Sequence, residues 1–456
     1  DDVIEQHLKV LIENEKVAFG KVRSKLKNME QIFQKQLEEI YKSVSETNYL
    51  QLFLTDYSSI YVAKVIAVSN DDFRTGTIAA ACGGTTSIID HIGQGAIDST
   101  LKSRIEYYHE IAKGKAVIDY SFHGVLAYDV DEQKINDMKD LIKDGIESYK
   151  IYMTYGQKID DKGSIKALKV AKENEAIIAV HPENHDTIEY LKKYYVKKGM
   201  IAPIYHAKSR PEECEAEAIN RIINIAHLVG DAPIYIVHLS SNMGLDYVKM
   251  ARGRGQKNIY VETCTQYLVL DEEKYNLPGT EGLKYIMSPP LRSKFNQEKL
   301  WSGIRNGDIQ VIATDHCPFS YEKEKIPMGK DDFSKCPNGS PGVETRIPII
   351  FSEGVMKGRI SINKFVEVTS TNPAKIFGMY PKKGSISIGS DADLVIIDKN
   401  KKVKVTKKLL HENVDYTSYE GMELEGYPIM TIVRGKVIVK DNKFIGEEGY
   451  GEFVKR

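Results

Sequence analysis

Several features that mark other classes of protein are missing from this chain. No stretch approaches about eighteen consecutive apolar residues, so we predict no transmembrane helix. The start, Asp-Asp-Val-Ile-Glu, lacks the basic and apolar pattern of a secretory signal. The net charge of -1, from 63 basic and 64 acidic side chains, gives no electrostatic basis for binding nucleic acid or an anionic membrane.

Cysteine is also scarce. The chain has five cysteines, scattered and without a Cys-x-x-Cys pair: Cys82, Cys214, Cys264, Cys317 and Cys336. This pattern argues against a disulfide framework and against a zinc site built from paired thiolates. A reducing cytoplasm is therefore the expected compartment.

What the chain does contain, from residue 85 onward, is an alternation of short β-branched or aromatic runs with amphipathic helical stretches. Such strand–helix units with buried strands predict a parallel sheet. Seven units suit an eight-stranded (β/α)8 TIM-type barrel with one strand unaccounted for, and a doubly wound open sheet is the alternative. The predicted strands are Thr85–Asp90, Ala116–Phe122, Ser148–Thr154, Ala176–His181, Pro233–Leu239, Asn258–Thr263 and Ile309–Asp315.

Both ends of the chain have a different pattern of residues. Gly384–Asp398 and Tyr427–Phe444 predict strands outside the barrel, which indicates a smaller β-sandwich-like region. At the front, apolar residues recur at helical spacing over residues 22–44, and a hairpin is predicted over residues 49–69. We therefore expect three parts: an atypical helical segment at 1–70, a barrel at 71–375 and a β-rich region at 376–456.

Four polar residues occupy corresponding places at or near the ends of predicted strands. Lys150 lies inside Ser-Tyr-Lys-Ile-Tyr, His181 and His238 end two apolar runs, and Asp315 ends Val-Ile-Ala-Thr-Asp. Barrel enzymes build their sites at the carboxyl ends of their strands. One histidine in such a place is usually structural, but a lysine inside an apolar strand is rare, because burying an ammonium is costly. The set of four predicts one functional site.

Beyond these four residues, longer stretches of the sequence resemble a known family. From about Asp71 to Gly446 the chain resembles the dihydropyrimidinase/D-hydantoinase branch of the amidohydrolase superfamily. Related dihydroorotases and allantoinases have the same kind of metal centre but usually lack two of the motifs, Met-Thr-Tyr-Gly and Ser-Pro-Pro-Leu-Arg. The matching stretches are residues 71–77, 81–86, 149–156, 287–292, 313–319, 337–339, 372–375 and 389–394.

The resemblance implies a hydrolase that opens the cyclic amide ring of dihydropyrimidines or hydantoins through a metal-bound hydroxide. It implies two divalent metal ions, with zinc expected, bridged by N6-carboxylated Lys150. His181 and His238 would bind the second metal, and Asp315 would bind the first and transfer the proton. The implied partner is a small cyclic amide, and the implied assembly is a homotetramer.

The resemblance also implies three groups that bind substrate. Tyr155 would stabilise the developing oxyanion, and Ser288 and Asn338 would hold the imide edge of the ring. Each has a plainer interpretation that stays open. Tyr155 fits a packed aromatic residue, and Ser288 and Asn338, before Pro289 and Gly339, fit turn residues.

Residues 1–70 depart from the family pattern. The family places a His-x-His pair at the end of its first barrel strand, whereas this segment contains only His7 and the whole chain contains no His-x-His. Three explanations stay open: a foreign or misassigned front segment before an ordinary enzyme, a non-catalytic relative that acts as an assembly or interaction protein, or a one-metal hydrolase. An allantoinase-like cyclic amidase is a further alternative.

Overall fold

A computed structural model describes residues 69–93 and 99–456 of the chain. The helix and the hairpin predicted at the front fall outside these residues, apart from Ser69. Within the described part, no helix is both long enough and apolar enough to cross a membrane.

A seven-stranded sheet forms the centre of the described residues. Every neighbouring pair is parallel, and the strands follow one another in chain order without a reversal. A doubly wound sheet reverses its strand order, so this alternative is wrong. The strands are β1 Ser87–His91, β2 Asp119–Val125, β3 Ser148–Tyr152, β4 Ile177–His181, β5 Ile234–Ile236, β6 Ile259–Cys264 and β7 Val311–Ala313.

The sheet is curled, which agrees with the predicted TIM-type barrel. Val311 on β7 belongs to the same hydrophobic cluster that contacts Ile89 on β1, together with Ile177, Tyr235 and Phe377. In a flat sheet the first and seventh strands would be about 29 Å apart at the usual strand spacing. The two ends of the sheet therefore approach each other around a packed interior.

Helices follow most strands and cover the outside of the sheet. Six of the α-helices begin at a side chain that accepts a hydrogen bond from the third helical N–H: Thr100, Asp131, Asp160, Asn184, Ser241 and Ser361. The α-helices are α1 Thr75–Cys82, α2 Leu101–Ala112, α3 Glu132–Lys143, α4 Asp161–Glu173, α5 His185–Lys197, α6 Ile204–Lys208, α7 Glu212–Leu228, α8 Asn242–Gly253, α9 Thr265–Val269, α10 Lys294–Asn306, α11 Ile326–Gly329, α12 Arg346–Ile350, α13 Ile362–Val366 and α14 Asn372–Ile376.

Shorter helical turns complete this layer. Those of 3-10 type are Glu272–Asn276, Glu281–Tyr285, Phe333–Lys335 and Lys407–Leu409. Wider turns of π type adjoin three α-helices: Tyr321–Lys325 precedes α11, Phe351–Met356 follows α12 and Glu367–Thr371 follows α13.

A second, antiparallel sheet lies outside the barrel, as the sequence predicts. Its order is β11-β10-β9-β8, with β8 Leu394–Lys404, β9 Glu423–Val433, β10 Lys436–Lys440 and β11 Lys443–Phe444. Helix α1 joins this sheet to the barrel: its alanines and Cys82 share a core cluster with Val433 and Ile438, and Thr431 donates a hydrogen bond to the carbonyl of Ala81.

Candidate active site and metal centre

The barrel gathers the predicted site residues at the carboxyl edge of its sheet. Lys150 lies in β3, His181 ends β4, and His238 and Asp315 each follow their strand by two residues. Three predicted site residues have a left-handed backbone, with φ of 70° at Tyr155, 41° at His238 and 48° at Asp315. Non-glycine residues adopt this conformation at a cost, and such strain concentrates at functional sites.

The two histidines face each other. His238 Nε2 lies 2.8 Å from His181 Nδ1, and the other nitrogen of His238 is buried without a hydrogen-bond partner. His181 Nε2 lies 2.7 Å from the carboxylate of Glu183, which can only accept, so this nitrogen carries the proton and Nδ1 keeps its lone pair. Burial lowers the pKa of both histidines, and both rings are neutral near pH 7.

Glu183 links His181 to Tyr155 through a buried arginine. Its carboxylate also accepts a hydrogen bond of 2.7 Å from Arg210, and both side chains are buried. Burial alone would raise the pKa of Glu183, but Arg210 and His181 lower it to about 2. The guanidinium of Arg210 lies 5.4 Å above the ring of Tyr155. His181 and Tyr155 are therefore linked by one network of charged groups.

Lys150 and Asp315 influence each other electrostatically at the centre of the barrel. Burial lowers the pKa of Lys150 to about 8, and the carboxylates of Asp315 and Glu262 oppose this shift. Burial raises the pKa of Asp315, and the charges of Lys150 and His316 oppose this shift. Lys150 and Asp315 are therefore close enough for each charge to shift the pKa of the other.

The predicted imide-binding residues lie on two segments that are tied together. Lys325 is fully buried and donates hydrogen bonds to the carbonyls of Ile286 and Pro337, at 2.9 and 3.1 Å. Gly339 N–H also donates to Ile286, so the segment before Ser288 and the segment of Asn338 run side by side.

Both segments are further anchored near Tyr155 and Asp315. The hydroxyl of Ser288 opposes part of the burial-driven rise in the pKa of Tyr155, although it makes no hydrogen bond of ordinary geometry. A Cβ at Gly339 would lie 2.3 Å from the carbonyl oxygen of Cys317, so only glycine allows this approach. Ser288 therefore lies close to Tyr155, and Asn338 precedes a glycine that packs against Cys317, two residues after Asp315.

A sequence model of the amidohydrolase family matches residues 67–438. The chain belongs to the amidohydrolase family. D-phenylhydantoinase of Escherichia coli O1:K1 is 48% identical over 391 residues, which cover 86% of this chain and 84% of that protein. Membership of this family implies a binuclear metal centre.

Solved structures agree with the family. Dihydropyrimidinase from Brevibacillus agri NCHU1002 superposes with a TM-score of 0.83 at 45% identity, covering 85% of this chain and 84% of that one. L-hydantoinase (dihydropyrimidinase) from Arthrobacter aurescens gives a TM-score of 0.77 at 29% identity, covering 84% of each chain. These relatives confirm the predicted barrel architecture.

The donor set fits the metal centre that the amidohydrolase family implies. His238 Nε2 and His181 Nδ1 are nitrogens of neutral imidazoles and lie 2.8 Å apart, close enough to bind one ion together. A carboxylate and a buried amine complete a set of oxygen and nitrogen donors that suits zinc and similar divalent ions. Lys150, His181, His238 and Asp315 are the residues that would hold them.

Sequence patterns missed several residues of this amidohydrolase site. His91 ends β1, and His123 lies near the end of β2 and pairs with His91 in register. Their ring centroids are 4.6 Å apart, and burial and the charge of Lys150 lower the pKa of both. Their places at strand ends were a usable signal. Glu183 stands only two residues after His181, which was also a usable signal. Arg210 and Lys325 gave none, because their partners are distant in sequence or are backbone atoms.

The substitution Glu183→Gln is expected to weaken metal binding. An amide cannot hold the His181 proton as a carboxylate does, and loss of such a partner typically costs about 10–100-fold in metal affinity or activity. Titration of the stripped variant with zinc measures the change. Glu217→Gln, an exposed carboxylate on α7, is the control. Unchanged zinc affinity in Glu183→Gln would show that Glu183 serves the Arg210 ion pair alone.

The substitution Lys325→Met is expected to impair substrate binding more than turnover. It leaves the carbonyls of Ile286 and Pro337 without a donor, so the two imide-binding segments lose their common anchor. We expect KM to rise about tenfold or more, with kcat changed less. Steady-state kinetics with hydantoin measures both constants. An unchanged KM would contradict this role for Lys325.

Proposed function

We propose that this chain opens the rings of hydantoins or dihydropyrimidines by metal-dependent hydrolysis of a ring amide. The observation that carries the proposal is that His181 and His238 face each other at 2.8 Å, while Lys150 and Asp315 lie close enough to shift each other's pKa. The names of the relatives, D-phenylhydantoinase and dihydropyrimidinase, support the substrate class. In the reaction the ring C–N bond breaks, water oxygen bonds to the carbonyl carbon, and the ring nitrogen takes a proton.

Lys150 is proposed to carry an N6-carboxylate. Carbon dioxide reacts with neutral amines, and the pKa of about 8 makes the neutral form of Lys150 accessible near neutral pH. The carbamate is an anion, so it also removes the cost of a buried ammonium and offers two oxygen ligands. When bound, divalent ions in such a centre, here expected to be zinc, polarise a carbonyl and make a water nucleophilic at neutral pH.

Asp315 is proposed to move the proton. Its raised pKa and its position opposite Lys150 suit a group that takes a proton from the attacking water and delivers it to the leaving ring nitrogen. Tyr155 is proposed to donate a hydrogen bond to the developing oxyanion. Burial raises the pKa of Tyr155, so the hydroxyl keeps its proton for this purpose.

The imide edge of the ring is proposed to bind along Ser288 and Asn338, whose two segments are held together by Lys325. The polar atoms of these segments match a flat ring that offers alternating carbonyl and N–H groups. The higher identity to D-phenylhydantoinase than to the L-hydantoinase makes D-5-phenylhydantoin the first substrate to test. The homotetramer stays a prediction of the family resemblance.

Ring opening of D-5-phenylhydantoin, hydantoin and dihydrouracil tests the proposal. We expect turnover of at least one ring, loss of turnover after chelation and recovery on adding zinc. Asp331→Asn, an exposed carboxylate, is the control and should keep its turnover. Failure of all three rings with metal-loaded protein would contradict the proposal and favour a non-catalytic relative.

A further inference from the structure

A second group of metal-ligating side chains lies where α1, the chain before α12 and the loop before β9 meet. The donor atoms of Cys82, Glu344 and His411 all lie within 4.8 Å of one another. Cys82 and Glu344 are buried, and the His411 side chain is 29% exposed. None of these residues belongs to the proposed hydrolytic site.

The simplest account of this cluster is an ion pair beside a packed thiol. Glu344 accepts a hydrogen bond of 2.7 Å from His411 Nδ1, and its other oxygen accepts from the backbone N–H of His411. That pairing gives each oxygen of Glu344 a hydrogen-bond donor, but it provides no partner for the neighbouring polar atoms.

Two buried polar atoms beside the cluster have no partner. The Tyr427 hydroxyl and Glu412 Oε2 are both buried and make no hydrogen bond. Burial raises the pKa of Tyr427, and the charges of Glu344, Cys82 and Glu412 raise it further, so the hydroxyl lies within electrostatic range of the cluster. Unsatisfied buried polar groups are rare in folded proteins and indicate a missing water or ion.

Two buried carboxylates meet at the cluster. Glu344 and Glu412 are both buried, and the backbone N–H of Glu344 donates a hydrogen bond of 3.2 Å to Glu412 Oε1. His411 faces Glu344 at 2.7 Å and His316 faces Glu412 at 3.8 Å. A divalent ion bound here would share these carboxylates with the two imidazoles.

We propose that Cys82, Glu344 and His411 bind a structural zinc ion. Sulfur, nitrogen and carboxylate oxygen are the ligand types zinc takes, and water fills the fourth position. Tetrahedral coordination places such donors about 3.4–3.6 Å apart. The Glu344–His411 pair, now 2.7 Å apart, would therefore open and give up its shared proton, while no donor pair starts more than 4.8 Å apart. The partly exposed His411 loop supplies that movement. The ion displaces the proton of Cys82 as it binds.

This zinc ion fastens three parts of the fold to one another. Cys82 ends α1, which packs between the barrel and the second sheet, Glu344 precedes α12 on the barrel, and His411 belongs to the loop leading to β9. The sequence pattern argued against a zinc site built from paired thiolates. A site with one cysteine, one histidine and one glutamate from distant positions has no characteristic spacing, so the sequence does not reveal it.

Cobalt replacement distinguishes this site from the barrel. The proposed barrel ligands are nitrogen and oxygen, so a thiolate-to-cobalt charge-transfer absorption reports a cysteine ligand. We expect this absorption in cobalt-loaded full-length protein, and we expect it to persist in His238→Ala, where the barrel centre is impaired. In Cys82→Ala and His411→Gln the absorption should disappear, with loss of one bound equivalent.

Two other cysteines provide matched controls, since Cys264 and Cys317 lie near Asp315. Cys264→Ala and Cys317→Ala should keep the absorption. Zinc should also raise the melting temperature of His238→Ala but not of His238→Ala/Cys82→Ala, which separates metal binding from any packing defect. Absence of the absorption in metal-loaded wild type, or its persistence in Cys82→Ala, would show that the cluster holds only water. Neither result depends on ring-opening activity.

Discussion

Lys150→Ala is expected to abolish ring opening and most metal binding in the barrel. The substitution removes the only amine that can carry a carbamate among the four residues proposed for the metal centre. Without that anion, His181, His238 and Asp315 have no common bridging ligand, so turnover should fall by several orders of magnitude. Elemental analysis and steady-state kinetics measure both losses.

A short carboxylic acid added to Lys150→Ala should restore part of the metal binding and part of the turnover. The acid can occupy the space that the buried side chain leaves, and it replaces the missing carboxylate. Lys169→Ala, an exposed lysine on α4, is the control and should behave like the wild type. Wild-type turnover in Lys150→Ala would show that Lys150 is only structural.

Asp315→Asn is expected to lower kcat by about 10²–10⁴-fold, the usual contribution of a positioned acid–base group, or more if metal binding also weakens. The amide has nearly the same shape, so the backbone at φ 48° is kept, but it cannot take a proton. Burst and steady-state measurements on metal-loaded variant test this effect. Asp308→Asn, a partly exposed carboxylate paired with Lys249, is the control. Turnover near that of the wild type in Asp315→Asn would assign the proton transfer elsewhere.

Much of the fold could be predicted because it depends on local patterns. All seven predicted strands are present, and β4, predicted over Ala176–His181, spans Ile177–His181. The strand predicted over Ala116–Phe122 begins three residues later, because residues 116 and 117 pack in the core before pairing starts. Apolar runs therefore located the strands well, while hydrogen-bond registry fixed their ends.

Candidate site residues could be proposed from the sequence where a polar residue stands at or near the end of an apolar strand. Lys150, His181, His238 and Asp315 all stand out because polar residues interrupt apolar runs there. Lys325 could not be found, because its role depends on backbone carbonyls 39 and 12 residues away. Cys82, Glu344 and His411 share the same difficulty, since the fold alone brings them together.

The absence of a His-x-His pair bears on how many ions the barrel holds. Of the side chains that the family uses for its first metal, the chain retains only Asp315 and the proposed carbamate of Lys150. For the second metal, it retains His181, His238 and the same carbamate. We therefore infer one tightly held ion in the barrel and a weak second position. His91 and His123, stacked beside Lys150, are the nearest imidazoles that could compensate.

Stripping the protein of metal and adding zinc back while following ring opening of hydantoin tests the central claim most directly. Turnover should be undetectable in protein shown by elemental analysis to be metal-free, and it should return as the barrel ligands fill. His238→Ala should fail to recover at the same zinc concentration. Full turnover in the metal-free protein would contradict a metal-dependent hydrolase.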